Sequence, residues 1–143
     1  MTIEQLTCNF ELLGDWEERY AYLIDLGKKL PALPEADKVE ENRVHGCQAA
    51  VWLKLSRDAA QPDRLRIQAD SNAAIVRGLV AVLVLLFDHK TPAEIVAVDA
   101  KSILGKLRLD QHLSPTRKNG LFAMVERIRR EAAQSQHEAL THE

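Results

Sequence analysis

The chain has 143 residues, a length typical of a single domain that buries its own hydrophobic core. Its formal net charge is −2 and its pI is near 6.2, so it lacks the basic field that a nucleic-acid backbone attracts. Cys8 and Cys47 could in principle pair, but a reducing cytosol and their very different surroundings argue against a structural disulfide. We therefore expect one domain over residues 1–143 that binds no nucleic acid.

Two helices are predicted before the hairpin, and the second of them has well-defined end signals. Asp15 precedes Glu18 at the spacing of a capping box, which predicts a helix from residue 16 that Pro31 and Pro34 end. The polar composition of residues 31–42 predicts a loop or a short helical turn. Because the amino terminus has neither the basic region nor the apolar run of a secretory signal, we expect a cytoplasmic protein with reduced thiols.

Two stretches with alternating polarity follow. Apolar residues occupy every second position over 51–55 and again over 65–69, and a polar turn at 58–63 separates them. This pattern predicts two antiparallel strands that form a hairpin, with one face toward the core.

The longest apolar run extends from Ala73 to Phe87, and Arg77 is its only charged residue. It is shorter than the roughly 18 to 20 residues that span a bilayer, so we predict a buried helix and no membrane association. Ser71 or Asn72 is expected to cap its amino terminus.

Two further helices are predicted where Thr91 and Ser114 each precede a proline. The last helix is expected to bury Met124 and neighbouring apolar residues, to expose Arg127, and to fray over residues 134–143. Helices on both sides of one hairpin predict an α+β fold, with a small antiparallel sheet and helices packed on one face.

One cysteine stands apart from these apolar patterns. Cys47 follows Gly46 at the start of the first predicted strand, where backbone freedom is greatest. Arg43 and His45 would favour its thiolate, the nucleophilic form, whereas the acidic residues at 40 and 41 would oppose this. The arrangement is typical of a presented nucleophile.

Other uses of this thiol require additional groups. A metal or cluster scaffold needs three or four convergent ligands, and only His45 and Asp70 are candidates to join Cys47. A cysteine hydrolase needs a base, for which His89 and His112 are candidates. Bound iron or zinc would support the scaffold, and thioester turnover would support the hydrolase. The sequence has no Cys-x-x-Cys motif and no Gly-rich phosphate loop.

Several motifs occur in an order and spacing that resemble the SufE family of sulfur-acceptor proteins. They are Trp16-Glu17-Glu18-Arg19-Tyr20, Leu26-Gly27, Leu30-Pro31, Val44-His45-Gly46-Cys47-Gln48 with Val51-Trp52, Asp70-Ser71, Ile75-Val76-Arg77-Gly78-Leu79, and Leu113-Ser114-Pro115-Thr116-Arg117-Lys118-Asn119-Gly120-Leu121. Gly-Cys-Gln followed by Val-Trp is the most specific of them. Ala49 departs from the family, which commonly has serine at this position.

The resemblance implies a fold similar to the SufE/IscU-like scaffold fold and a role as a covalent sulfur carrier. Such a protein takes persulfide sulfur from a pyridoxal-phosphate cysteine desulfurase of the SufS type, stimulates that enzyme and passes the sulfur to iron–sulfur cluster assembly. A downstream scaffold complex would be a second partner, and a homodimer is compatible with the resemblance. No metal, cofactor or turnover of its own is expected, because the partner enzyme carries the pyridoxal phosphate.

The resemblance also assigns the site. Cys47 would carry the persulfide, and five residues are candidates to support its loop: His45, Gly46, Gln48, Asp70 and Arg117. Two alternatives stay open at this stage. Arg117 could contact the Cys47 loop or a local carboxylate such as Asp110, and Asp70 could cap the buried helix or contact the loop. Cys8 is expected to be a packed thiol.

Overall fold

A computed structural model describes the backbone of residues 1–141 and the side chains of residues 1–136. These residues form an α+β fold, which confirms the predicted class. The helices are α1 (Ile3–Leu12), α2 (Trp16–Lys29), α3 (Ala74–Phe87), α4 (Pro92–Ala97), α5 (Ala100–Lys106), α6 (Leu109–His112) and α7 (Pro115–Thr141), and the strands are β1 (Val51–Arg57) and β2 (Leu65–Ser71). None of the helices described is long and apolar enough to span a membrane.

The two strands form the predicted hairpin. They pair antiparallel, with Val51 opposite Ser71 and Arg57 opposite Leu65. The alternate residues of both strands that face the core are mostly buried, as the polarity pattern predicts. Short 3-10 turns at Glu35–Asp37 and Glu40–Asn42 lie in the segment that leads to the hairpin, which agrees with the predicted loop.

Helix α3 is the buried centre of the fold, and α2 crosses it at very short range. A Cβ atom added to Gly78 would lie 2.2 Å from the carbonyl oxygen of Leu23, and one added to Gly27 would lie 2.7 Å from the backbone nitrogen of Gly78. Arg77, the one charge on α3, donates hydrogen bonds to the carbonyls of Gly27 and Leu30. The same side chain therefore adds hydrogen bonds to carbonyls at the carboxyl end of α2, where the last turn leaves such groups short of intrahelical donors.

Most of the predicted helix starts are confirmed. Asp15 accepts a hydrogen bond from the backbone of Glu18, Thr91 and Glu94 form a capping box, and the Ser114 hydroxyl accepts from the backbone of Arg117. The prediction for α3 is wrong, because its N-cap residue is Ala73, which makes no side-chain cap. Ser71 and Asn72 instead use their side chains to bind Ala50 across the hairpin.

The carboxyl-terminal region contains more helix than the sequence indicated. Helices α5 and α6 were not predicted, although Asp99 caps α5 by accepting from the backbone of Ser102. Helix α7 continues through Thr141, and Arg57 donates to the Ser135 hydroxyl. Fraying over residues 134–143 stays a prediction, and residues 142 and 143 lie outside the described part of the chain.

Candidate functional site

The candidate site is built on residues 45–50, the connection before β1 that we call the Cys47 loop. At its first end, the backbone nitrogen of Val44 donates to the carbonyl of Val51 over 2.9 Å. At its other end, Ala50 donates to the Asn72 side chain over 3.1 Å and accepts from the Ser71 hydroxyl over 2.7 Å. Both ends of the loop are therefore fixed to the hairpin, while the thiol lies at its tip.

Gly46 gives the loop its shape. Its φ of 95° lies in the left-handed region, which residues other than glycine rarely adopt. A Cβ atom added here would also lie 3.5 Å from Ala123 on α7. Gly46 thus turns the chain so that the next residue, Cys47, faces helix α7.

Cys47 is partly buried against the first part of α7. Its Sγ atom donates a hydrogen bond of 3.6 Å to the carbonyl oxygen of Gly120. A Cβ atom at Gly120 would lie 3.1 Å from that Sγ, so the absence of a side chain permits this close approach. Because the sulfur donates in this contact, it binds the helix as a protonated thiol.

Burial raises the pKa of the Cys47 thiol above its ordinary value, and the positive charge of Arg43 opposes the shift only in part. The sequence-based expectation of an activated thiolate is therefore wrong for this conformation. The His45 side chain is exposed, and its Nε2 lies 2.8 Å from a Glu40 carboxylate oxygen, so it pairs with that acidic side chain. Desolvation outweighs the nearby charge.

A cavity of about 120 Å³ lies next to the thiol. Its walls are mostly apolar and come from the Cys47 loop, α3 and α7, and they include Val76, Leu79, Leu121 and Met124. Since one water molecule takes up about 30 Å³ in the liquid, there is room beside Cys47 for at least one additional sulfur atom.

Two of the predicted support residues share this cavity with the thiol. Gln48 and Arg117 both line it, and both side chains are exposed. No ion pair joins Arg117 to Asp110 within the described residues, and a direct contact of Arg117 with the Cys47 loop stays a prediction. Arg117 thus places a positive charge at the cavity that contains Cys47.

Asp70 fits neither of the two roles that were considered for it. It is 2% exposed, and its oxygens accept from the backbone nitrogens of Leu33 and Ser71 over 3.0 and 2.8 Å. Its carboxylate also lies 3.3 Å from Arg77. Asp70 therefore fastens the chain at residue 33 to the end of β2, and it acts on the Cys47 loop only through the hairpin that holds it.

Arg127 is a residue that the sequence placed wrongly on the solvent face of α7. Its side chain is only 15% exposed and donates to the backbone carbonyls of Arg43 and Glu41, just before the Cys47 loop. The apolar face of α7 is buried as predicted, but these carbonyls pass over its edge and bind the guanidinium. No local pattern could have revealed this contact, because it joins residues 84 positions apart.

The residues considered for other chemistry lie elsewhere. His89 pairs with Asp58 over 3.0 Å, and His112 stacks on Trp16, so neither lines the Cys47 cavity. Within the described part of the chain, no three histidine, cysteine or acidic side chains are placed to hold a metal ion. Cys8 is exposed on α1, so the expectation of a packed thiol is wrong.

The fold and the site together define a small α+β protein that presents one thiol on the loop preceding β1, beside an apolar cavity. A family model described as SufE, Fe-S metabolism associated domain, matches residues 4–132. The chain belongs to the SufE family. It is 44% identical over 133 residues to an uncharacterised SufE-like protein of Rhizobium meliloti (strain 1021), covering 92% of this chain and 94% of the relative.

A solved structure supports the fold independently. The solution structure of a hypothetical protein from Thermus thermophilus superposes with a TM-score of 0.72 and covers 96% of this chain and 99% of its own. The two sequences are 22% identical, so the likeness concerns the fold alone. The likeness and the family match together confirm the predicted SufE-like fold, and the family match alone associates the chain with Fe-S metabolism.

Proposed function

We propose that this protein accepts sulfane sulfur on Cys47 from the persulfide of a SufS-type cysteine desulfurase. The Cys47 thiolate attacks the terminal sulfur of the donor persulfide, the S–S bond of the donor breaks, and the donor cysteine leaves as a thiolate. One proton leaves Cys47 and one returns to the donor thiolate. The exchange yields a Cys47 persulfide and a donor thiol, and it needs no external oxidant or reductant.

The observation that best supports this proposal is the position of the Cys47 sulfur beside the apolar cavity. A persulfide adds one sulfur atom to Sγ, and the mostly apolar cavity of about 120 Å³ has room to hold that atom partly away from solvent. Shelter of this kind is useful to a carrier, because small thiols in the cytoplasm would attack an exposed persulfide and remove its sulfur.

The resting site favours storage over attack. The thiol is protonated, donates to Gly120, and has a raised pKa, so it is a weak nucleophile in this position. We propose that docking of the desulfurase draws the Cys47 loop outward, where water and the partner's groups restore the thiolate. Gly46, with its positive φ, is the point at which the loop can turn.

The proposal extends to the setting in which this protein acts. It works in the cytoplasm as a carrier and activator of the desulfurase, with no cofactor and no turnover of its own. The pyridoxal phosphate belongs to the partner. The persulfide then passes its sulfur to an iron–sulfur cluster assembly complex, and a homodimer is compatible with this role.

The intact mass of the protein tests the proposal. After incubation with a SufS-type desulfurase and cysteine, we expect a mass increase of one sulfur atom that a reductant reverses. The control omits cysteine and shows no increase. Absence of the sulfur adduct while the desulfurase turns over would contradict the proposal, and stoichiometric bound iron or zinc instead would point to a scaffold.

A further inference from the structure

One side chain of α7, that of Arg127, holds the backbone segment that leads into the Cys47 loop. Residues 39–44, which we call the stem, precede the loop and contain the turn Glu40–Asn42. The Arg127 guanidinium donates to the carbonyl of Arg43 over 3.0 Å and also to the carbonyl of Glu41. Its Nε lies 3.4 Å from a carboxylate oxygen of Glu131, one helical turn further along.

This guanidinium makes three contacts and is largely withdrawn from water, with 15% of the side chain exposed. Its partners are backbone carbonyls, so the contact depends on where the stem runs and not on which side chains the stem carries. A planar guanidinium that binds two carbonyls at once fixes orientation as well as distance, which a single ammonium group cannot do.

The same face of α7 contacts the loop along its length. The Gly120 carbonyl accepts the hydrogen bond from the Cys47 thiol, Ala123 lies next to Gly46, and Arg127 binds the stem. These positions on α7 are separated by three and four residues, so they form one continuous stripe on the helix. The stripe contacts the thiol, the turn and the stem in that order.

We propose that Arg127 is a positioning residue for Cys47, which holds the stem against α7 so that the thiol is seated on Gly120. This inference rests on the proposed function only for its purpose, since the seating itself can be measured without a desulfurase. Glu131 orients the guanidinium. When the contact is lost, the stem separates from the helix and the thiol spends more time in solvent.

The experiment measures alkylation of Cys47 by a bulky maleimide in a Cys8→Ser background, in which one thiol remains. Arg127→Ala should raise the rate about tenfold, as expected when a charge-assisted hydrogen bond that opposes opening is removed. Arg130→Ala is the matched control, because Arg130 is an exposed arginine on the same helix, and its rate should equal the background. Arg127→Lys keeps the positive charge but loses the planar pair of donors, so its alkylation rate should lie between those of Arg127→Ala and the background.

The pH dependence of the same reaction gives a second readout of how Cys47 is held, and circular dichroism separates this effect from general loosening of the fold. The midpoint for Arg127→Ala should move down toward that of the unfolded chain, because a released thiol is no longer desolvated. Equal rates and midpoints for Arg127→Ala and Arg130→Ala would overturn the inference. Should circular dichroism show that Arg127→Ala is unfolded, Arg127→Lys decides by the same comparison. Sulfur transfer is measured separately, so the alkylation result can be interpreted even if the proposed function fails.

Discussion

The sulfur of Cys47 lies 3.6 Å from the carbonyl oxygen of Gly120, so close to the helix that a Cβ added at residue 120 would lie 3.1 Å from it. The loop and the helix are 73 residues apart in the chain, yet the seat of the thiol depends on both. The proposed sulfur chemistry therefore involves α7 as much as the Gly-Cys-Gln motif.

The substitution Gly120→Ala tests this close contact between the Cys47 thiol and α7. The new Cβ would lie 3.1 Å from Sγ, so the thiol must move by a few tenths of an ångström and its bond to the carbonyl must lengthen. We expect faster maleimide alkylation of Cys47, although alanine raises the intrinsic stability of the helix by up to about 1 kcal/mol.

Gly105→Ala on α5 is the control for Gly120→Ala. A Cβ there meets only a carboxylate oxygen of Asp110, at 4.0 Å, so this variant gains helix propensity without crowding the thiol. Its alkylation rate should match that of the parent protein. An unchanged rate in Gly120→Ala as well would show that the seat on α7 does not limit access.

The raised pKa of Cys47 predicts a shifted pH profile. Since the thiolate is the reactive form, alkylation of the folded Cys8→Ser protein should reach half of its maximum at higher pH than alkylation of the same protein in urea. The folded state holds this proton more tightly than the unfolded state. Its contribution to stability is therefore present below the pKa of the unfolded chain and lost as the pH rises through the folded pKa. A folded midpoint at or below the midpoint in urea would contradict the assigned desolvation.

Gly78→Ala tests the close crossing of α2 and α3, the helix that forms part of the cavity wall. The added Cβ would lie 2.2 Å from a backbone carbonyl oxygen of α2, an atom that cannot move without displacing its helix. We expect a loss of about 1–3 kcal/mol in the free energy of unfolding, measured by urea denaturation. Gly105→Ala again serves as the control. Equal stability of the two variants would mean that α2 and α3 can separate without cost.

The sequence was most informative where structure depends on neighbouring residues. The hairpin follows from alternation over 51–55 and 65–69, and the start of α4 follows from Thr91 and Glu94, which satisfy each other's backbone. The cap of α3 failed for a physical reason. Ser71 has the right chemistry for a cap, but its hydroxyl donates to Ala50 across the hairpin, a partner that local spacing does not reveal.

The candidate site shows the same contrast between features that neighbouring residues determine and features that distant residues determine. The motif around Gly46 and Cys47 located the thiol, and a positive φ at Gly46 agrees with the turn expected there. Whether burial or Arg43 controls the thiol's pKa depends on how closely α7 covers it, and the amino-acid order alone does not give that distance. The contact of Arg127 with the stem was missed for the same reason.

Charge around the cavity predicts a salt effect on partner recognition. Glu40, Glu41 and His45 are exposed on one side of the Cys47 loop, and Arg117 and Lys118 are exposed at the start of α7. Added salt screens such charges, so the concentration of this protein that gives half-maximal stimulation of a SufS-type desulfurase should rise several-fold. The saturated rate should change less. With the desulfurase alone as control, a half-saturation point that is independent of salt would indicate apolar docking instead.

The central claim is that one residue, Cys47, carries the transferred sulfur, and intact mass measured on two cysteine variants tests it most directly. After incubation with a SufS-type desulfurase and cysteine, Cys8→Ser should gain the mass of one sulfur atom as the parent protein does. Cys47→Ser should gain none and should not stimulate the desulfurase, while its circular dichroism and Tm stay close to those of the parent. Sulfur accumulation on Cys47→Ser, or its loss in Cys8→Ser, would contradict the assignment.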